Sequence, residues 1–236
     1  MRLKTILQKL VRNEERKVMI FNILKKNKKQ KIGGEIAYYK LEQWWLNEFS
    51  SEERKIIRNI FKPLSTGSEE YFIDKGTITF ISQSKVAFLS NLLSWFTKKE
   101  YYCIAKKIIS EAEKNIDFNT DILDKHFFYL NCIKAFYSNR ENYKDALDLA
   151  IYYCKKQISI SKKAKEAFLR EYSDSQLPSH TGFKQLAIIY EKDKKYDEAL
   201  IITKQALLEG WNNDSEKRIK RLEKKLEKIK LKYEFI

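Results

Sequence analysis

The stretch FKQLAIIYEKDKKYDEALIITKQALLEGW, residues 183–211, predicts two short amphipathic helices joined by a polar turn. Residues of the inner faces recur every three or four positions, at Leu186, Ala187 and Tyr190 in the first helix and at Tyr196, Ala199, Thr203 and Ala206 in the second. Such spacing is typical of helices that bury one face. The small alanines allow two helix backbones to approach closely, while the segment EKDKK has the composition of a turn.

The core of this unit occurs three times as an aromatic residue, five residues, a tyrosine, two residues and an alanine. The copies are Phe96/Tyr102/Ala105, Tyr137/Tyr143/Ala146 and Tyr190/Tyr196/Ala199. The first two copies are 41 residues apart and the last two are 53 apart. Both steps exceed the period of about 34 residues that is usual for the shortest helical-hairpin repeats. We therefore expect extra helix or loop between copies, and SKKAKEAFLREY (161–172) predicts one additional helix.

With this spacing, roughly residues 85–211 resemble the tetratricopeptide repeat family. The chain departs from the family pattern in lacking the first-helix Trp, in having Ala187 in place of Gly, and in having Trp211 in place of the closing Pro. Other stretches, such as GEIAYYKLEQWWLNEFSSEER and LPSHTGFKQLAIIYEK, resemble parts of uncharacterised bacterial or phage proteins that end in such repeats. The family resemblance implies a solenoid of helical hairpins that binds a protein or peptide partner along its concave face.

The whole chain is predicted to be all-α, because 6 Gly and 2 Pro in 236 residues are too few for a turn-rich β fold. We expect a TPR-like helical-hairpin solenoid with an N-terminal helical extension and a C-terminal capping helix. The predicted units are a basic amphipathic helix at 1–34, a helical unit with a linker loop at 35–82, three repeats within 83–211 (about 84–115, 121–157 and 180–211), and a capping helix at 212–236. Ser50 and Glu53 form a capping-box pattern, and TITFIS (77–82) favours a short extended segment.

The net charge of +15 is uneven along the chain. Residues 1–32 carry +9 and residues 212–236 carry +4, which leaves +2 for the rest. Two interpretations stay open: lysines on solvated helix faces, or an anionic partner at the two ends. Nucleic acid is the alternative partner, and its predicted contacts are Lys25, Lys26, Lys28, Lys29 and Lys31. Peripheral membrane contact is the less favoured interpretation of the amphipathic N-terminus.

Motifs of catalysis and metal binding are missing from the sequence, which has no glycine-rich phosphate loop, HExxH, GxSxG or paired-cysteine zinc pattern. Its 2 histidines, His126 and His180, are each predicted to begin a first helix and are interpreted as structural. We therefore expect a non-enzymatic protein without cofactor or metal. The 3 unpaired cysteines indicate a reducing compartment, and with no leader or long apolar run we expect a cytoplasmic protein.

Polar residues projected from successive first helices form the predicted partner site. They are Asn91, Asn131, Lys184 and Gln185, whose amide and ammonium groups suit a peptide backbone and a carboxylate. Trp45 is a further candidate contact, because adjacent tryptophans on one helix point in different directions and one of Trp44 and Trp45 is expected at a groove. The final helix, with Leu222 and Leu226 on its apolar stripe, is expected to cap the solenoid, with homodimerisation as the alternative.

Overall fold

The computed structural model describes residues 32–63, 72–173, 175–212 and 214–234. This part of the chain contains helices and no strand. The helices are α1 (Gly34–Tyr38), α2 (Glu42–Glu48), α3 (Ser51–Ile60), α4 (Lys85–Ser94), α5 (Tyr102–Lys114), α6 (Ile122–Ser138), α7 (Ala146–Ser159), α8 (Ser161–Glu171), α9 (Thr181–Lys192), α10 (Tyr196–Glu209) and α11 (Ser215–Glu234). A short 3-10 turn, Lys99–Tyr101, precedes α5. The all-α prediction is confirmed for these residues, and the expected extended segment at 77–82 contains no strand.

Three short helices, α1 to α3, form the N-terminal unit. The chain turns between α1 and α2 at Lys40, whose φ of 58° lies in the left-handed region. The amide of Leu41 then donates to the carbonyl of Ile36 at 2.8 Å, which closes the turn. At the start of α3 the predicted capping box is present, because Ser50 accepts from the Glu53 amide and Glu53 accepts from the Ser50 amide.

Both tryptophans of α2 are buried, which corrects the expectation that Trp45 contacts a partner. Trp45 is 0% exposed and donates its indole N–H to Asp74 at 3.0 Å. Arg58 donates three further bonds to the same carboxylate, two from Nε and one from Nη2, and its ion pair with Asp74 measures 2.5 Å. Trp44 packs edge-on against Phe49 with ring centroids 4.8 Å apart. The tryptophan side of α2 is therefore covered in part by Asp74, a residue of the predicted linker, while Leu46 and Asn47 on the other side are exposed.

The three predicted hairpins correspond to α4 with α5, α6 with α7, and α9 with α10. The first helices α4 and α6 pack against each other, α7 packs against α9, and α10 packs against α11. The three equivalent alanines of the sequence pattern, Ala105, Ala146 and Ala199, are all buried. The predicted extra helix at 161–172 is present as α8 and packs against α6 and α7.

Side-chain hydrogen bonds between the first two hairpins join residues separated by nearly one repeat step. Asn131 donates to the carbonyl of Ser90, 41 residues earlier, and Asn139 to that of Thr97, 42 residues earlier. The Tyr102 hydroxyl donates to Asp145, 43 residues later. These separations equal or slightly exceed the 41-residue step of the sequence pattern. Equivalent positions therefore meet across this interface, as stacking of neighbouring units requires.

The helix α11 packs along α10 and ends the described chain. Leu222 is 0% exposed, which matches its place on the predicted apolar stripe. A single carboxylate, Glu191 of α9, accepts ion pairs from Arg218, Arg221 and Lys225 at 2.8 to 3.1 Å. Hydrogen bonds from Arg221 and Lys225 lower the pKa of Glu191 to about 2. Within the described residues, no helix is long and apolar enough to span a bilayer.

Candidate functional site

An open apolar pocket of about 320 Å³ lies beside the inserted helix α8 and the loop that follows it. Eight residues from α6, α8 and the loop line it: Phe127, Phe168, Leu169, Tyr172, Ser175, Gln176, Leu177 and Pro178. Most of the lining is apolar, and Ser175 and Gln176 supply the polar groups. The volume is at the lower end of the range of about 300–1,000 Å³ for ligand pockets in proteins.

The amphipathic pattern of α8 explains how this pocket forms. Ala164, Ala167 and Phe168 recur at helical spacing and are buried, so they hold α8 on the body of the protein. Leu169 lies at the edge of this buried face and is 41% exposed, and Tyr172, at the end of the helix, is 55% exposed. The amide of Tyr172 donates to the carbonyl of Phe168 at 2.8 Å, so the tyrosine continues the last turn.

Hydrogen bonds fix the loop that forms the other wall. The amide of Ser175 donates to the carbonyl of Tyr172 at 3.1 Å, and the amide of Asn212 donates to the carbonyl of Pro178 at 3.3 Å. The second bond ties the loop to the segment that follows α10. Leu177 and Phe168 also belong to a second hydrophobic cluster, which includes Trp211. The pocket thus borders a hydrophobic cluster that is distinct from the main core.

His126 and His180 pack around Trp211 of this cluster. The rings of His126 and Trp211 are stacked with centroids 5.9 Å apart and an interplanar angle of 15°. His180 lies 5.1 Å from His126 and 4.7 Å from Trp211. Phe168 meets the edges of both His126 and Trp211, so it separates the cluster from the pocket it lines.

Gln157 of α7 connects the two histidine-bearing segments. Its amide nitrogen donates to the carbonyl of His126 at 3.0 Å, and its carbonyl oxygen accepts from the Gly182 amide at 2.6 Å. A side chain at Gly182 would place its Cβ 2.9 Å from that oxygen and 3.0 Å from the carbonyl of Cys154. Glycine is therefore required for this close approach of α9 to α7. His180 caps α9 by accepting from the Phe183 amide at 3.3 Å.

Burial keeps both imidazoles neutral. It lowers the pKa of His126 to about 4. Burial, together with the neighbouring His126, lowers the pKa of His180 to about 3. Because His126 is 1% exposed and His180 is 0% exposed, neither ring reaches a molecule in the pocket. The histidines therefore act through packing, behind the apolar lining of the pocket.

The predicted polar residues of the first helices differ in their exposure and contacts. Asn131 is half-buried, and its side-chain amide donates to the carbonyl and hydroxyl oxygens of Ser90, at 3.0 Å each. Asn91 and Lys184 are exposed, and Gln185 is half-buried. Whether these four residues contact a partner stays a prediction. Lys25, Lys26, Lys28, Lys29 and Lys31 lie outside the described residues, and Trp45 is buried as described above.

The pocket itself was not predicted, although one predicted residue is close to it in register. Phe127, which lines the pocket, precedes Asn131 by four residues and so lies one turn away on the same side of α6. The signal in the sequence was the lengthened second step, with the apolar residues Phe168, Leu169 and Tyr172 on a charged inserted helix. The helix has more apolar residues than one buried face needs, which indicates a second apolar surface.

Among the described residues, no group of three or more His, Cys, Asp or Glu side chains is placed so that it could hold a metal ion. Comparisons of the chain with protein-family models, with curated proteins and with solved structures found no match.

Proposed function

We propose that this chain is a non-enzymatic interaction protein of the tetratricopeptide type, and that it binds a segment of a protein partner by taking one apolar side chain into the α8 pocket. The observation that carries the proposal is the group of exposed apolar side chains around this cavity. Phe127 is 46% exposed, Leu169 41% and Tyr172 55%. Large apolar groups gathered at the mouth of a pocket are typical of binding sites for partner residues.

The size of the pocket favours a single aromatic or leucine side chain as its occupant. The pocket's volume of about 320 Å³ is small for a drug-sized ligand. Its lining contains no charged residue. A peptide anchor needs only an apolar cavity with a few polar groups at the rim for its backbone, which Ser175 and Gln176 can supply. The peptide would continue across α6 towards Asn131, one turn from Phe127.

Repeat architecture supports the same proposal. The buried equivalent alanines and the hydrogen bonds spaced by about one repeat step agree with stacked hairpins of the tetratricopeptide kind. Such hairpin arrays serve mainly to present binding surfaces. The inserted helix α8 forms one wall of the pocket. Insertions between repeats can vary without disturbing how the hairpins stack.

Selection from a displayed library of random peptides tests the proposal. We expect enriched peptides to share one aromatic or leucine position, and to bind a Phe127→Ser, Tyr172→Ser variant at least tenfold more weakly. Burial of one large apolar side chain contributes about 1.5–3 kcal/mol, and about 1.4 kcal/mol corresponds to tenfold in affinity. The matched control is Phe118→Ser, Leu208→Ser, since these residues are 97% and 86% exposed and lie outside the pocket lining. Equal weakening by both variants, or no enriched peptide, would refute the α8 pocket as the site.

A further inference from the structure

The helix α11 carries a row of cations along one side. Six cations line one shallow groove along it: Lys217, Lys220, Arg221, Lys224, Lys225 and Lys228. We call this set the basic face. Lys217, Arg221, Lys224 and Lys228 follow each other at steps of four, three and four residues, which keeps them on one side of an α-helix.

The acidic residues of α11 lie on a side next to the basic face, and Lys220 is the cation of that face nearest to them in register. Glu216, Glu223 and Glu227 repeat at steps of seven and four residues, so they share a different side of the helix. Glu223 turns towards α10, where it pairs with Lys204 at 3.1 Å. A helix surface that only has to be soluble can mix its charges, and it gains intrahelical ion pairs by mixing them. On the side of α11 that carries Lys217, Arg221, Lys224 and Lys228, the surface therefore has one sign.

Neutralisation of the basic face is incomplete within the described chain. Glu191 is the carboxylate that pairs with Arg221 and Lys225, and it also pairs with Arg218. One negative charge therefore faces three positive ones. Lys217 approaches Asp214 only at 3.9 Å, with both side chains more than 80% exposed, so that pair is worth little. Lys220, Lys224 and Lys228 have no acidic partner within 4.0 Å among the described residues, and they are exposed.

We propose that the basic face binds the phosphate backbone of nucleic acid without reading its sequence. From Lys217 to Lys228 the helix rises by roughly 16 Å, at 1.5 Å per residue, which is the length of about five nucleotides of one strand at 3.4 Å each. Lysine ammonium groups act as point charges for phosphates. The lining of the face has no aromatic side chain on which a base could stack and no amide that could read a base edge.

An anionic membrane is a poorer partner for this helix. A helix that lies on a bilayer inserts an apolar face between the lipids. The central apolar residue of α11, Leu222, is fully buried in the protein, and Ile219 and Leu226 beside it are partly buried. The ion pairs with Glu191 hold the helix in that orientation. Most of its apolar stripe is therefore at least partly buried against the protein, while Lys217, Lys220, Lys224 and Lys228 are exposed.

Fluorescence anisotropy of the full chain with a labelled mixed-sequence DNA duplex tests this proposal over a range of salt concentrations. The affinity should fall steeply with salt, with a slope of about −0.9 for each phosphate neutralised. Replacing Lys217, Lys220, Lys224 and Lys228 by Gln should weaken binding at least tenfold. It should also reduce the magnitude of the slope by up to about 4, or about 1 per lysine.

The control variant replaces Lys144, Lys155, Lys162 and Lys163 by Gln. These lysines are also exposed, so the change in net charge is the same, but they lie outside α11. Equal weakening by the two variants would overturn the proposal in favour of a general effect of net charge. Binding to phosphatidylserine vesicles or to a poly-glutamate peptide without binding to the duplex would also overturn it. The Phe127→Ser, Tyr172→Ser variant should bind the duplex as the unaltered chain does, so the two proposals fail independently.

Discussion

Lowering the pH from 7 to 5 is expected to destabilise the fold through its two buried histidines. The pKa of His126 is lowered to about 4 and that of His180 to about 3, whereas both have the ordinary value of 6.5 in the unfolded chain. Below pH 6.5 the unfolded chain binds protons that the folded chain does not bind until about pH 4 or lower. The stabilisation is therefore fully present above pH 6.5 and is lost progressively as the pH falls towards 4 and 3.

The magnitude follows from the distance of pH 5 from the ordinary pKa. A pH of 5 is 1.5 units below the ordinary pKa of 6.5, and each unit changes the free energy of unfolding by about 1.4 kcal/mol. Each histidine therefore contributes a loss of about 2 kcal/mol at pH 5, or roughly 4 kcal/mol for both. Glu191 does not contribute in this window, because its pKa is about 2 when folded and 4.5 when unfolded, so its stabilisation is lost only at lower pH. A loss of this size is a large part of the 5–15 kcal/mol typical of a protein.

Urea unfolding followed by helical circular dichroism at the two pH values measures this loss. The control is the double variant His126→Gln, His180→Asn, in which neither position titrates and Asn keeps a cap acceptor for the Phe183 amide. Its free energy of unfolding should differ by less than about 1 kcal/mol between the two pH values. The reasoning is refuted if the unaltered chain is equally stable at both, or if the double variant loses as much, since carboxylates would then be responsible.

Two further substitutions test the packing. Ala199→Leu should destabilise the fold by about 1–3 kcal/mol in urea unfolding, because Ala199 is 0% exposed between closely packed helices; an unchanged midpoint would contradict the repeat register. Asp74→Ala should cost about 3–5 kcal/mol by leaving Arg58 without its partner, whereas the same change at the exposed Asp197 should cost under about 1 kcal/mol. Equal effects of the two Asp substitutions would show that the Asp74 ion pair is not needed.

Local signals in the sequence were sufficient to predict most helices and several of their ends. Apolar spacing predicted the hairpin helices, the inserted helix α8 and the final helix. Asp121 accepts from the amides of Leu123 and Asp124 at the start of α6, which is the contact that an aspartate before a helix commonly makes. These features depend on neighbours within four residues, so the sequence alone contains their physical cause.

Other features of the structure depend on long-range contacts and could not be predicted from local signals. The break between α1 and α2 falls at Lys40, which is neither Gly nor Pro, so the turn was not visible in the sequence. The burial of Trp45 depends on Asp74, 29 residues later and within the stretch that was predicted to be a linker. A tryptophan beside another tryptophan carries no sign of which partner will cover it. Its role could be assigned only once the two segments were seen together.

The candidate site lies where the repeat pattern is broken, and the cause is geometric. Across the first interface equivalent residues meet at separations near 41, and helices in register pack without a gap. The second step is longer by the length of α8, so α6 and α9 cannot meet in the same register, and Gln157 and Trp211 fill the space between them. What Gln157, Trp211 and Phe168 leave unfilled at the outer edge is the pocket. Shortening the 172–178 loop should therefore remove the pocket while leaving the first two hairpins intact, because their contacts do not involve it.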